Sequence, residues 1–308
     1  MSKLARLARS LHVFAENLKR PPVLAPATAP WQRPRVGVAL GGGFARGLAH
    51  LGVMKVLEDE QIPIDYVAGT SVGAVLGAMY ASGVSVQEML EVAHLVRFKD
   101  FARWTVSRFG FCSNDRMSIF LHKLVRVKTF EELRLPLAVA ATDFVTGDAV
   151  VFRSGPLVDA IRASCAYPGM FLPVNINGRL LVDGLLAHPV PSAPLREMGA
   201  DRVIGIHLSA HWVNLRGPRH VFDVIGQCFS IAQEKMSGVW RAASDVVLEP
   251  NVDGIPYDAF ERAPEMILAG EAAARAALPQ IRQWIAEPAV AVAPARPRTA
   301  PRVEPAVG

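Results

Sequence analysis

Gly69-Thr70-Ser71-Val72-Gly73 is the stretch on which the fold of this chain turns. It is a G-x-S-x-G pentapeptide lying between an apolar run, Ile64 to Ala68, and a small-residue apolar segment, Val72 to Ser82, that Gly83 stops. The first run reads as a buried strand and the second as a helix. Glycines on either side of the serine permit a strand-to-helix turn too tight for larger side chains. Such a turn lifts the hydroxyl above a sheet and aims the free N–H groups of the helix start at developing negative charge. Ser71 is therefore a candidate nucleophile, and Gly69 and Gly73 are the residues that let the turn close.

Upstream, Gly41-Gly42-Gly43-Phe44-Ala45-Arg46-Gly47 follows the apolar run Val36 to Leu40 and precedes an expected helix, Arg46 to Gln61. Consecutive glycines leave backbone N–H groups bare, able to converge on an anion, whether a tetrahedral oxyanion or a phosphate. A dinucleotide fold prefers Gly or Ala where Arg46 stands, and an acidic residue closing the second strand. Here that strand runs into Gly69-Thr70-Ser71, which weighs against the phosphate. Downstream, Asp183-Gly184 follows a short strand, Leu180 to Val182. An Asp at that place either points into a cleft or caps a turn.

Working outward, strands are expected at Leu137–Thr142, Ala149–Phe152, Val203–Leu208 and Val246–Glu249. Helices are expected at Val86–Val96, from Pro156 to about Ala166, at Val221–Ala243 and at Pro264–Ile285. Alternating strands and helices imply an α/β, three-layer α/β/α architecture with a mainly parallel central sheet. The stretch 98–130 mixes Arg, Lys and aromatics without a period and is expected to be a partly helical excursion from the core layer. Five prolines between Pro21 and Pro34 mark a linker. The expected organisation is a basic amphipathic segment and linker at 1–34, a domain at 35–286 and an Ala/Pro/Arg tail at 287–308.

With 308 residues, 51% of them hydrophobic, the chain is long enough for one large core. The net charge of +5 sits mainly in the tails and suits an anionic surface, without itself separating membrane from nucleic acid. Leu4, Leu7, Leu11, Phe14 and Leu18 recur at helical spacing among Arg and Lys, a pattern that fits a bilayer surface as well as the protein's own. Arg97, Phe98, Phe101, Arg103, Trp104, Arg108, Phe109 and Phe111 form a second basic-aromatic stretch, read either as a membrane-touching rim or as a partly buried cap. Three cysteines, Cys112, Cys165 and Cys228, show neither disulfide nor zinc spacing. The cysteines read most simply as those of a reducing compartment, and no run of eighteen apolar residues occurs, so a cytoplasmic protein without a spanning helix is expected, with peripheral membrane contact left open.

Taken in order, the G-x-G-x-x-[KR]-G loop, the G-x-S-x-G elbow and the Asp-Gly pair resemble those of the patatin-like phospholipase family. Between the last two, Ala163-Ser164-Cys165-Ala166-Tyr167-Pro168-Gly169-Met170-Phe171 is similar to its A-S-x-x-x-P-x-x-F segment. The resemblance covers about Arg35 to Leu208. It implies a Ser-Asp dyad, with Ser71 as nucleophile and Asp183, followed by Gly184, as its base. It implies an oxyanion hole from the N–H groups of Gly41, Gly42 and Gly43, with Arg46 as the basic residue beside that loop. It implies a lipid acyl ester as substrate and no metal, organic cofactor or nucleic acid, and it leaves oligomeric state open. A patatin-like protein that binds lipid without catalysis is the alternative. Leu185 stands where the family has Gly or Ala and is expected to narrow the cleft. A carboxylate of ordinary pKa, about 4, is a poor base for a hydroxyl, so burial of Asp183 is expected to raise it. His188, His207 and His211 follow Asp183 in an order compatible with a triad, while His50 and His207 fit helix or strand packing better.

Overall fold

The computed structural model describes residues 33–107, 110–113, 115–208, 217–218 and 221–286. The expected N-terminal segment 1–20, most of the linker, Arg108, Phe109, His211 and the tail 287–308 lie outside the described residues. In chain order the elements are β1 (Val36–Leu40), α1 (Ala49–Asp59), β2 (Tyr66–Thr70), α2 (Val72–Ala81), α3 (Val86–Ala93), α4 (Phe98–Phe101), β3 (Arg103–Ser107), β4 (Gly110–Ser113) and α5 (Asp115–Leu124). Then come β5 (Leu137–Asp143), β6 (Ala149–Phe152), α6 (Leu157–Ser164), β7 (Gly169–Phe171), β8 (Val174–Ile176), β9 (Arg179–Asp183), α7 (Ser192–Met198) and β10 (Arg202–Ile206). Last are α8 (Val221–Lys235), α9 (Ser237–Ala242), β11 (Val246–Leu248) and α10 (Ala263–Ala286). No helix among the described residues is long and apolar enough to cross a membrane.

An eight-stranded sheet runs β11-β10-β1-β2-β5-β9-β8, with β6 also on β5. From β11 to β5 every pairing is parallel; β5 pairs antiparallel with β6 and β9, and β8 with β9. The parallel half is buried on both faces, so its strands are apolar throughout. Alternate residues serve different layers. Val38 and Leu40 join the core beneath α1, α2 and α10, while Ala39, Ala68 and Ala138 join a second cluster with Leu195 of α7 and Trp240 of α9. The register sets Gly205, Ala39, Ala68 and Ala138 in one row across four strands. Small side chains in that row let α7 lie close to the sheet.

Local signals explain where helices begin and end. Ser85 caps α3 by accepting from Glu88 N–H at 3.2 Å, and Glu88 accepts the Ser85 N–H at 2.8 Å, a capping box. Gly83, at φ +89°, supplies the left-handed residue after α2. Two expectations are corrected. The stretch 98–130 contains a hairpin, β3–β4, extended by β7 into a separate three-stranded sheet, as well as helix. The single helix expected at Val221–Ala243 is interrupted at Met236. The interruption precedes Gly238, a poor helix former, and Trp240 then seats in the cluster against α7. The short strands β7 and β8 carry no periodic signal of their own.

Helices α1 and α10 meet backbone to backbone. A Cβ on Gly52 would overlap the Ile267 carbonyl, and one on Gly270 would overlap the carbonyl of Ala49. Gly52→Ala is therefore expected to cost about 1–3 kcal/mol through overpacking. Thermal unfolding should show a Tm lower by several degrees; an unchanged Tm would contradict the close approach.

Candidate active site

Ser71 sits between β2 and α2 at φ +55° and ψ −123°, a conformation that L-residues avoid. Both glycines of the pentapeptide are required by contact. A Cβ on Gly69 would lie 2.5 Å from the Ala74 Cα, and one on Gly73 would overlap the Leu40 carbonyl and lie 2.8 Å from the Gly41 carbonyl. The turn is also held from below. The Ser71 N–H donates to Ser164 Oγ at 2.8 Å, and that hydroxyl donates to the Ala140 carbonyl at 2.6 Å. Ser164 was visible in sequence only as part of the A-S-x-x-x-P-x-x-F segment, and its role as a brace comes from the structure.

Asp183 closes β9, and the sheet register brings it to Ser71. β2 pairs with residues 137–140 of β5, ending at Thr70 opposite Ala140. β9 pairs with residues 141–143, ending with Asp183 opposite Ala141. Because β6 occupies residues 139–142 and overlaps both, β2 and β9 must share the other edge of β5, end to end. The Asp183 carbonyl accepts from Thr142 Oγ1 at 2.9 Å, and the Asp183 N–H donates to the Ala166 carbonyl at 3.0 Å. Gly184 leaves no room for a side chain: a Cβ there would overlap the Ala140 carbonyl.

The carboxyl of Asp183 is fully buried. Oδ1 accepts from the Leu185 N–H at 2.9 Å, whereas Oδ2 has no hydrogen-bond partner. Burial pushes the pKa up to about 7, against the pull of the Leu185 N–H and of the neighbouring Ser71 hydroxyl. Ser71 is thus close enough to influence the carboxyl but does not form a hydrogen bond of normal geometry with Oδ2. The Cys165 thiol also lies against Ser71; burial and the charge of Asp183 hold its pKa well above the usual thiol value, so it stays protonated.

The glycine loop differs from expectation in one respect. The Gly41 N–H donates to the Ile206 carbonyl at 3.1 Å and the Gly42 N–H to the Pro189 carbonyl at 3.2 Å, so neither is bare. Gly43 lines the same cavity as Ser71, and its N–H donates to no group among the described residues. His50 Nε2–H donates to the Gly41 carbonyl at 2.8 Å from a fully buried position. Burial lowers its pKa to about 4, so the ring is a neutral brace for the loop. Arg46 is buried beneath the loop and donates from Nε to the Ile255 carbonyl at 2.8 Å. Burial lowers its pKa to about 10, against Asp253 and Asp258, so it remains charged at neutral pH. It ties the 252–258 segment, including the cavity-lining Tyr257, to the loop.

Ser71 opens on a cavity of about 140 Å³. Its walls come from α2, α3 and α5 and include Val75, Met79, Met89, Leu121 and Leu124, with Phe44, Tyr257 and Phe260 on the loop side. Leu185 is also in the wall, packed on Gly42, where a Cβ would come within 2.8 Å of Leu185 Cγ. No histidine lines this cavity among the described residues. His207 instead packs on Trp240 and lies 3.3 Å from Glu249, and the charged neighbour of His188 is Glu197. No group of three His, Cys, Asp or Glu side chains among the described residues is arranged to hold a metal ion.

The raised pKa has a consequence for stability. The folded-state value of about 7 exceeds the unfolded 3.8, so folding favours the neutral acid. Below about pH 4 Asp183 is neutral in both states and costs nothing; between about pH 4 and pH 7 only the unfolded chain ionises, so a penalty builds to the order of 4 kcal/mol and stays constant above. The Tm of Asp183→Asn relative to the unsubstituted protein should therefore rise between pH 5 and pH 8.5. A difference that stays constant or falls over that range would contradict the buried carboxylate.

Residues 38–195 match the model of the patatin-like phospholipase family. An uncharacterised NTE family protein of Mycobacterium tuberculosis is 33% identical over 223 residues, covering 62% of this chain and 58% of that protein. A lysophospholipase of Mycosarcoma maydis is 29% identical over 230 residues, covering 71% of this chain and 12% of its own length. Among solved structures, VipD from Legionella pneumophila aligns with a TM-score of 0.49 at 12% identity, over 88% of this chain and 73% of that one. The chain thus spans little more than half the length of its mycobacterial relative and a small part of the fungal one. The family model covers residues 38–195, about half of the chain, and the chain belongs to the patatin-like phospholipase family.

Proposed function

We propose that the protein is a serine lipid acyl hydrolase that works through a Ser71–Asp183 dyad. The observation that carries this reading is the buried Asp183 Oδ2, without a partner, beside the strained Ser71 at the end of an apolar cavity. Ser71 Oγ attacks the ester carbonyl carbon while Asp183 takes its proton. With a pKa of about 7, the carboxylate is available near neutral pH and basic enough to be useful. The negative charge that develops on the carbonyl oxygen is received by the Gly43 N–H and by the Val72 N–H that opens α2, whereas the Ala74 and Val75 N–H groups already donate to the Ser71 carbonyl. The intermediate collapses, the alcohol leaves with the proton from Asp183, and an acyl-Ser71 remains. Water, deprotonated by Asp183, then releases the fatty acid and restores the serine.

The substrate is an acyl ester of a lipid. The cavity walls are apolar and take the acyl chain, leaving the ester at Ser71 and the head group towards solvent. The reaction class is carboxylic ester hydrolysis of the phospholipase A or lysophospholipase kind, which the name of the fungal relative favours. Leu185 closes the wall over Gly42 and, through its N–H, orients Asp183; its bulk lies in the cavity wall and does not separate the dyad.

Hydrolysis of a p-nitrophenyl ester and of lysophosphatidylcholine tests the reading. Ser71→Ala should lose on the order of 10⁴-fold or more in kcat, and Asp183→Asn a comparable factor. A well-folded protein that turns over neither substrate, or a Ser71→Ala variant that keeps full activity, would refute it.

A further inference from the structure

Helix α8 is apolar over more of its circumference than a surface helix requires. Phe222, Ile225 and Phe229 face inwards: Phe222 packs on Phe111 at 5.8 Å between ring centroids, and Phe229 on Tyr167 at 5.1 Å. A Cβ on Gly169 would meet Ile225 Cδ1 at 3.1 Å. The helix therefore lies on β4, β7 and the Tyr167 segment, whose residues Tyr167 and Phe171 line the cavity at Ser71. At 3.6 residues per turn, Val221, Val224, Cys228 and Ile231 fall within one further sector of about 80°. This sector faces out: Val221 is 56%, Val224 47% and Ile231 53% exposed, and Cys228 is exposed as well. A helix apolar on its outward as well as its inward face belongs against another apolar phase.

The surroundings say which phase. Phe111 of β4, 50% exposed, flanks the helix through Phe222, and Arg103 of the paired strand, opposite Ser113, falls on the same face of the hairpin as Phe111. Arg97, Lys99, Arg103 and Arg116 are exposed around this hairpin, with the Arg116 guanidinium on the Lys99 carbonyl at 3.2 Å. Asp100, in the same stretch, accepts the Arg97 N–H at 2.8 Å. Exposed apolar groups bordered by cations match an anionic bilayer, where the side chains enter the acyl boundary and the cations meet head groups. We propose that the outer stripe of α8, together with Phe111, is the face on which the protein docks to an anionic lipid surface, so that the cavity behind Tyr167 receives its substrate from the bilayer. The choice of lipid over a protein partner rests on the lipid-hydrolase reading above.

Cys228 provides a site-specific test, since it lies in the stripe while Cys112 and Cys165 are buried. The full chain is labelled there with an environment-sensitive maleimide and mixed with vesicles of phosphatidylcholine alone or with phosphatidylglycerol. A blue shift with anionic vesicles, quenched by nitroxide-bearing acyl chains, is the expected result. The double variant Val224→Asp/Ile231→Asp should partition at least about tenfold less while keeping p-nitrophenyl butyrate hydrolysis. A label that stays in water while the protein sediments with vesicles would overturn the proposal, because contact then lies elsewhere. So would a shift that follows protein concentration without lipid, which would assign the stripe to a second copy. A docked protein that hydrolyses no soluble ester would refute the catalytic reading and leave the docking face standing.

Discussion

One edge of one strand sets the geometry on which the site depends. A strand edge offers each residue a single partner, and β5 divides its edge between β2 and β9. Thr70 ends one pairing opposite Ala140, and Asp183 ends the other opposite Ala141. Consecutive residues of a strand are about 3.3 Å apart along it, so the turn that follows Thr70 begins against the carboxyl-bearing end of β9. No long loop has to hold the two groups together; the hydrogen-bond ladder does so. The hydroxyls of Thr142 and Ser164 tie the same junction from within the core. A slip of one residue in the pairing of β9 would turn the Asp183 side chain to the opposite face of the sheet.

The site holds its groups in states that folding alone would avoid. A serine at φ +55° costs about 1–3 kcal/mol, and a fully buried carboxyl with one unsatisfied oxygen is destabilising once ionised. These are tolerated because the surroundings are rigid and apolar: α2 is packed on the sheet through Gly73 and Gly77, and the glycine loop is braced by His50 and Arg46. The same burial that opposes ionisation makes Asp183 a stronger base when it is ionised. Stability and reactivity are therefore set against each other at one residue.

The sequence made the framework legible because its signals were local. Apolar runs ending in glycine marked β1 and β2, and the pentapeptide marked the turn between β2 and α2. The separation of Ser71 from Asp183 by more than a hundred residues was bridged only by family resemblance, since the pairing of β9 against β5 is non-local. Gly41 and Gly42 looked bare in sequence, but their acceptors, Ile206 and Pro189, come from distant segments that no local pattern announces. The hairpin β3–β4 was missed for a different reason. Its cations and aromatics alternate according to an exposed surface and a short second sheet, and neither gives the period of a core strand. Helix α8 looked like part of one long helix because a break at Met236 follows from where Trp240 must pack, which propensity does not encode.

The central claim is that Asp183, with its pKa raised by burial, is the base for Ser71. The most direct measurement is the pH dependence of the rate at which a fluorophosphonate modifies Ser71, followed by intact mass between pH 5 and pH 9. The expected profile rises with a single ionisation near pH 7, to match the value of about 7 for Asp183, and then levels. In Asp183→Asn the rate should be low and without that ionisation. A profile already level at pH 5, or one that Asp183→Asn leaves unchanged, would contradict the account.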